Sequence, residues 1–304
     1  MKTTCRAKIN LRLRVFARDD TGFHAVETLL LRTDLADEVV VEEGGDGVTI
    51  EVAGDAAAGV PEGPDNLCCR AAAAFLDVAF AGRRKRPGLR IGLTKRIPVG
   101  SGLGGGSADA AGVLRLLAER WPRVEPRSLY RVAGVLGSDV PFGLLDVPMA
   151  LGWERGRRLL PLRPPRPRDG LVVCPPFAVS TPEAYGWLAA QRSADGSDAG
   201  GGRGGDPGGA SVLPGVTRLA EWSTLERLVG NDLQAPVVGR HAALADALSI
   251  LQDVGDASAM TGSGSALFAI FDRAAARERA VQSLADAGFG EEEGWKTHDI
   301  RLPI

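Results

Sequence analysis

The sequence predicts a fold in which strands and helices interleave, α/β or α+β, on three observations. Short alternating or continuous apolar runs such as "AKINLRLRVF" and "GLVVCPP" recur along the chain. Longer stretches with helical spacing and capping residues separate them. No repeat at a fixed period is visible. With 304 residues there is room for one large or two modest domains. A hydrophobic share of 44% beside 24% charged residues is that of a soluble globular protein. The net charge of -2 provides no basic field to draw nucleic acid or an anionic membrane, so small ligands are the expected partners. Cys5, Cys68, Cys69 and Cys174 show no C-x-x-C spacing, and "MKTTCRAKIN" lacks the apolar core of a signal peptide, which predicts reduced thiols in a cytoplasm. No stretch approaches the ~18 continuous apolar residues of a membrane span.

The first strand is read from "AKINLRLRVF", where Ile9, Leu11, Leu13 and Val15 alternate with Lys8, Asn10, Arg12 and Arg14. This half-buried pattern puts Lys8 and Asn10 on one face. "DEVVVEE" and "GVTIEV" continue as strands through the turn-prone "GGDG". A helix opens at the N-capping Asp65, "GLRIGLTKRI" is strand-like, and a helix follows from about residue 107 to 120. A further helix starts after Pro126 and stops near Gly137. Strands are expected around "PMALGW" and "GLVVCPP", and Thr181 with Pro182 opens a helix. Residues 195–211, "DGSDAGGGRGGDPGGAS", hold too few apolar groups to offset their ordering entropy and predict a mobile insertion. Helical patterns fill 217–252, "SAMTGSGSALFAIF" sets a second glycine turn beside a strand, and a helix at 273–287 and the strand "WKTHDIRL" complete the chain.

Five of the seven residues from Gly100 to Gly106 are glycine, between a strand and a helix. Gly100, Gly102 and Gly105 satisfy G-x-G-x-x-G, but Pro98 interrupts the strand-to-loop step and position 100 is late for a dinucleotide fold. Gly100 to Ser107 also spells G-x-x-x-x-G-G-S, with Gly106 where a P-loop carries its lysine. The physics common to both remains: glycines let successive N–H groups face one anion, and the helix start adds partial positive charge. A loop that merely turned the chain would not need five glycines, because each costs folding entropy.

"IPVGSGLGGGSADAA" resembles the phosphate-binding motif of the GHMP kinases. The likeness extends in order through "AKINLRLRV", "GFHAVETLL", "DNLCCRAA", "GSDVPF", "STPEAY", "NDL" and "MTGSGSALF", and so spans nearly the whole chain. It is strongest to the branch that phosphorylates the 2-hydroxyl of a methylerythritol bearing a cytidine diphosphate, on the non-mevalonate route to isoprenoid precursors. The resemblance implies an α+β, two-lobed fold with the active site in the cleft between lobes, dividing near residue 155 into 1–155 and 156–304. It implies ATP and Mg2+ as cofactors. Pro98, Val99, Gly100, Ser101, Gly102, Leu103, Gly104, Gly105, Gly106, Ser107 and Ala108 would hold the ATP phosphates, with Ser107 a candidate for Mg2+ carried by ATP. By the same resemblance, Asn66 and Lys95, in motifs that flank the nucleotide pocket, would contact ATP. Asp139 maps onto the catalytic aspartate with Lys8 as its partner, and a cation beside the carboxylate would favour its ionised form. Lysine is scarce in this chain, five against 31 arginines, so its use on the first strand is an exception to a strong bias. Phe23 and His24 would receive the cytosine, Tyr185 would close its other side, and Asn10 would contact the methylerythritol end.

Several positions depart from that pattern. Ala108 stands where a second serine is usual, Thr21 replaces an aspartate before "GFH", and Gly143 replaces a common phenylalanine. "LLDVPMALGWERGRR" lacks the usual glycine pair, and 195–211 is extra. The alternatives are a homoserine- or mevalonate-type GHMP kinase, which "GFH" and Tyr185 disfavour, and a catalytically silent ligand sensor, which the joint presence of Lys8 and Asp139 disfavours.

Overall fold

The computed structural model describes residues 1–18, 24–154, 156–195 and 215–304. Among them the elements run β1 (Lys2–Arg18), β2 (His24–Glu43), β3 (Val48–Ala53), α1 (Leu67–Ala79), β4 (Leu89–Thr94), α2 (Gly105–Arg120), α3 (Pro126–Leu136) and α4 (Val140–Leu145). There follow β5 (Met149–Glu154), β6 (Arg158–Pro161), β7 (Arg168–Cys174), α5 (Thr181–Ala194), α6 (Trp222–Leu225), β8 (Gly230–Asn231) and α7 (Gln234–Val238). The chain ends with α8 (Ala242–Val254), β9 (Ala257–Met260), β10 (Leu267–Phe271), α9 (Ala274–Asp286) and β11 (Lys296–Leu302).

Packing divides the chain into two units of three segments each: 1–8, 34–99 and 104–147 in the first, and 9–33, 100–103 and 148–304 in the second. The single boundary expected near residue 155 falls on a residue outside those described. Thr21, Phe23 and residues 196–211 of the glycine-rich stretch are outside them as well.

In the first unit, β4 pairs antiparallel with the later part of β2, Ile91 opposite Val41, and β3 runs parallel to β4 with Ile50 opposite Ile91. Val39, Val41, Leu89, Ile91 and Leu93 of this sheet share a core with Phe75 of α1 and with Leu114 and Leu117 of α2. Full burial of each such side chain contributes about 1.5–3 kcal/mol. Asn66, not the expected Asp65, caps α1 by accepting from the N–H of Cys68, and the alanine-rich run that follows favours helix. Gly143 accounts for the position of α4: a Cβ there would stand 2.7 Å from that of Ala111, so only glycine lets α4 lie this close to α2. The departure at 143 therefore brings the residue at the head of α4 toward the start of α2.

In the second unit, β11-β7-β10-β9 form an antiparallel sheet, with Ala269 opposite Leu171 and His298 opposite Val172. Leu244, Leu248 and Leu251 of α8 and Leu284 of α9 share a core with Leu171, Val173 and Phe271. The first part of β2 pairs antiparallel with β5, Leu29 opposite Leu151, and β6 extends that hairpin. β8 lies parallel to β1, with Leu13 opposite Asn231. Among the described residues no helix is long and apolar enough to cross a membrane. All four cysteines are unpaired and buried, and burial pushes the Cys5 and Cys174 thiols up to about 12.

Candidate active site

Within the first unit, α2 opens on Gly104 at φ +73° with no side-chain cap. Its first intrahelical bond runs from Ala108 N to Gly104 O at 2.9 Å. The N–H groups of Gly105, Gly106 and Ser107 thus point past the helix start with no acceptor within the helix, and they carry its partial positive charge. A Cβ on Gly104 would lie 2.9 Å from Lys8 Cε and 3.4 Å from Asp139 Oδ2. Nothing but hydrogen separates the helix start from these two side chains.

Lys8 Nζ and Asp139 Oδ2 are 3.2 Å apart, the lysine side chain 7% exposed and the aspartate 35%. Asp139 occupies the N-cap position of α4, yet its side chain makes no capping bond, so the carboxylate is not spent on the turn. A partly open carboxylate backed by a buried ammonium can take a proton from a hydroxyl and steady the alkoxide that develops. The Ser107 hydroxyl lies 3.7 Å from where a Cβ on Gly137 would stand, facing the segment that leads to Asp139. Ala108 is 6% exposed and packs in the core, so a second hydroxyl at this position would have faced apolar neighbours.

Asn66 and Lys95, expected at the nucleotide, are both held by protein partners. The Asn66 side chain is committed at both ends, accepting from Cys68 N at 2.8 Å and donating to Pro61 O at 2.8 Å. The Lys95 ammonium is buried, paired with Asp37 and, at 2.8 Å, with Asp109 Oδ2. Asp37 Oδ1 also accepts the N–H groups of Arg96 at 2.5 Å and Ile97 at 2.8 Å. Burial alone would drive the Lys95 value down, but its two carboxylates outweigh that and hold it above the usual lysine range. Burial pushes the Asp109 carboxyl up despite the pull of Lys95. Gly105 likewise faces inward: a Cβ would meet Ile97 Cγ2 at 2.9 Å and Lys95 Nζ at 3.2 Å. Its missing side chain serves the packing of helix on strand end, not the approach of an anion.

In the second unit, Ser101 O accepts from Ala266 N at 3.1 Å, and a Cβ on Gly262 would lie 2.8 Å from Gly102 O. Residues 100–103 therefore rest on the second glycine turn. That turn is held by Asn231, whose Nδ2 donates to Met260 O and Gly262 O at 2.8 Å each while its Oδ1 accepts from Leu233 N. Asn10 is buried, its N–H bonded to Thr261 Oγ1 at 2.9 Å and its Nδ2 to Thr28 Oγ1 at 2.8 Å. His24 Nδ1 lies 2.7 Å from Phe16 O. A carbonyl only accepts, so Nδ1 carries the proton and Nε2 is the acceptor, here taking the Nε–H of Arg18 at 3.2 Å. The Tyr185 ring is 5.4 Å from that of His24, tilted by 40°. Asp37, Asp109, Asn231 and Thr261 had no assigned role in the sequence. "NDL" and "MTGSGSALF" marked the last two only as parts of motifs.

Residues 66–152 match the model of the GHMP kinases N terminal domain, and residues 217–289 that of the GHMP kinases C terminal. The chain is 36% identical over 266 residues to the 4-diphosphocytidyl-2-C-methyl-D-erythritol kinase of Ruegeria pomeroyi, covering 87% of this chain and 86% of that one. It is 38% identical over 299 residues to the protein of that name in Anaeromyxobacter dehalogenans strain 2CP-C, covering 94% and 86%. A crystal structure of a 4-(cytidine 5'-diphospho)-2C-methyl-D-erythritol kinase superposes with a TM-score of 0.76 at 32% identity over the whole of both chains. Homoserine kinase from Cytophaga hutchinsonii shares the fold, with a TM-score of 0.64 at 16% identity over all of this chain and 96% of that one.

Proposed function

Because the chain belongs to the GHMP kinases, in the branch of the 4-diphosphocytidyl-2-C-methyl-D-erythritol kinases, we propose that it transfers the terminal phosphoryl group of ATP to the 2-hydroxyl of 4-diphosphocytidyl-2-C-methyl-D-erythritol. The observation that carries this reading is the contact of an uncapped helix start with an acid–base pair: Gly104 is bare toward both Lys8 and Asp139. Phosphoryl transfer asks for little else from a protein than positioning, neutralised charge and a proton acceptor.

In this reading Asp139 accepts the proton of the acceptor hydroxyl, and the Lys8 ammonium 3.2 Å away offsets charge on the attacking oxygen. The N–H groups of Gly105, Gly106 and Ser107 bind phosphate oxygens, with open space at Gly106, where a Cβ would have nothing within 4 Å. Among the described residues no three His, Cys, Asp or Glu side chains are grouped to cage a metal. The donor set at the helix start, a hydroxyl from Ser107 and a carboxylate from Asp139, fits a Mg2+ ion that arrives on the phosphates and keeps much of its water. Bound there, the ion would neutralise phosphate charge. In the second unit, the Nε2 acceptor of His24, on exchanging the Arg18 donor for a ligand amine, suits the exocyclic amine of cytosine, and Tyr185 offers a ring beside it.

Turnover of ATP against a panel of alcohols tests the reading, with the cytidine-diphosphate methylerythritol expected to be the preferred acceptor over homoserine and mevalonate. Asp139→Asn should lower kcat by roughly 10²- to 10⁴-fold. Near-normal kcat in a folded Asp139→Asn protein would remove the proton-acceptor role.

A further inference from the structure

The most deeply buried charges of the first unit lie beneath the helix start rather than at the acid–base pair. Asp37 is 0% exposed, Asp109 1% and Lys95 2%. Such a cluster is costly to desolvate, and its presence at one site asks for a role beyond stability. The three residues come from three elements: Asp37 from β2, Lys95 from just past the end of β4, and Asp109 from the second turn of α2. Asp37 grips the entry stem of the glycine loop twice, through the N–H groups of Arg96 and Ile97. Asp109 grips the exit stem, since it belongs to the helix whose first N–H groups face outward. Lys95 joins the two carboxylates, and its Nζ stands 3.2 Å from where a Cβ on Gly105 would be, directly behind the first residue of α2.

We propose that the Lys95–Asp37–Asp109 triad is the positioning device of the glycine loop, clamping both of its stems to β2 so that the first N–H groups of α2 keep the spacing that the ATP phosphates require. The proposal rests on the ATP reading above. It also explains the glycine at 105: a side chain there would wedge the helix off the clamp.

The triad has one ammonium for two carboxylates, and Asp109 Oδ1 is buried with no hydrogen-bond partner among the described residues.

The test measures binding of the β,γ-imido analogue of ATP by calorimetry, KM for ATP and for the acceptor, and Tm, in the wild-type protein and in Asp37→Asn, Asp109→Asn and Lys95→Met. Asp37→Asn should raise KM for ATP and the analogue Kd by ~10-fold or more, because loosened stems misplace the donors, with KM for the acceptor little changed. Asp109→Asn, which keeps the shape but removes the charge that Lys95 meets on α2, should raise the analogue Kd in the same direction. Lys95→Met leaves two carboxylates facing each other. Should it fail to fold, the two isosteric variants decide the question alone. A lower Tm in Asp37→Asn with unchanged analogue affinity would assign the triad to stability and overturn the proposal. A wild-type protein that did not bind the analogue at all would instead overturn the ATP reading, and the clamp with it.

Discussion

Replacing Gly104 by alanine adds one methyl group at the point where the helix start meets the acid–base pair. Gly104 sits at φ +73°, where an L-residue costs roughly 1–2 kcal/mol. That corresponds to a fall in Tm of about 2–5 °C for a chain of this size. The larger effect is local. The new Cβ would stand 2.9 Å from Lys8 Cε and 3.3 Å from Lys8 Cγ, so the lysine must retreat by roughly 0.5–1 Å to reach ordinary carbon contact. Its side chain is 7% exposed in a close-packed interior and has no open space to swing through. The displacement therefore falls on the 3.2 Å contact with Asp139. A misplacement of about 1 Å in a reacting group costs on the order of 10²-fold. Release of ADP followed in the presence of the cytidine-diphosphate acceptor, together with a thermal melt, should show kcat reduced ~100-fold in a protein that still folds. A folded Gly104→Ala enzyme with kcat within ~3-fold of wild type would mean that the chemistry does not run over this contact.

Ser107→Ala should reduce kcat/KM for ATP by about 10- to 100-fold, the value of a hydrogen bond to a charged group. Ala108→Ser should bring no gain, because the buried hydroxyl can reach only the Gly104 carbonyl one turn back, and a higher kcat/KM would contradict the buried placement of residue 108. An acceptor carrying uracil in place of cytosine sets a carbonyl against the His24 Nε2 acceptor and should lose roughly 1–3 kcal/mol in kcat/KM; equal values for the two bases would refute selection by that edge. Burial, against the pull of Lys95, raises Asp109 above its unfolded value, so its contribution to stability is complete below the unfolded carboxylate range and is lost as pH climbs through the raised folded value. The Tm of Asp109→Asn relative to wild type should therefore increase with pH, and a difference that shrinks with pH would reverse the assignment.

Much of the core is legible from apolar runs: Ile9, Leu11 and Leu13 are buried as expected, and the apolar "LFAI" of β10 is buried throughout, but Lys8, Asn10 and Arg12 are buried as well, so β1 is covered on both faces and not half-buried as its alternation implied. Other elements hide where local and tertiary demands differ. β2 runs unbroken for 20 residues, beginning well before "DEVVVEE", and in its middle it buries Arg32 and Thr33, polar residues with no apolar alternation to mark a strand. α4 is six residues long and opens on Val-Pro, which looks like a stop; at the first helical turn proline costs nothing, because its missing N–H has no partner there. The 217–252 stretch has helical composition throughout, yet β8 interrupts it, because Gly230 and Asn231 pair with Arg12 and Leu13 far earlier in the chain.

The candidate site divides along the same line. A glycine-rich turn before a helix is a local statement about backbone donors and could be read as an anion site directly. Lys8 and Asp139 meet only through the fold, and no spacing connects them, so resemblance to a family was the sole signal for their pairing. Of the triad beneath the loop only Lys95 was marked, by resemblance and for a nucleotide contact; its pairing with Asp37 and Asp109 gave no signal. Asp37 lies in a run whose other acidic residues, Glu38, Glu42 and Glu43, reach solvent or surface ion pairs, and nothing in its own neighbourhood sets it apart. Asp109 lies in "SADAAG", where its neighbours Ala108, Ala110 and Ala111 are all buried. A charged residue on an otherwise small and apolar helix face is the one local inconsistency in this stretch, and such inconsistencies mark places where stability has been given up for another requirement. Here the requirement is that a lysine and a second carboxylate be met at a single point, and that point is the one from which both stems of the loop are held.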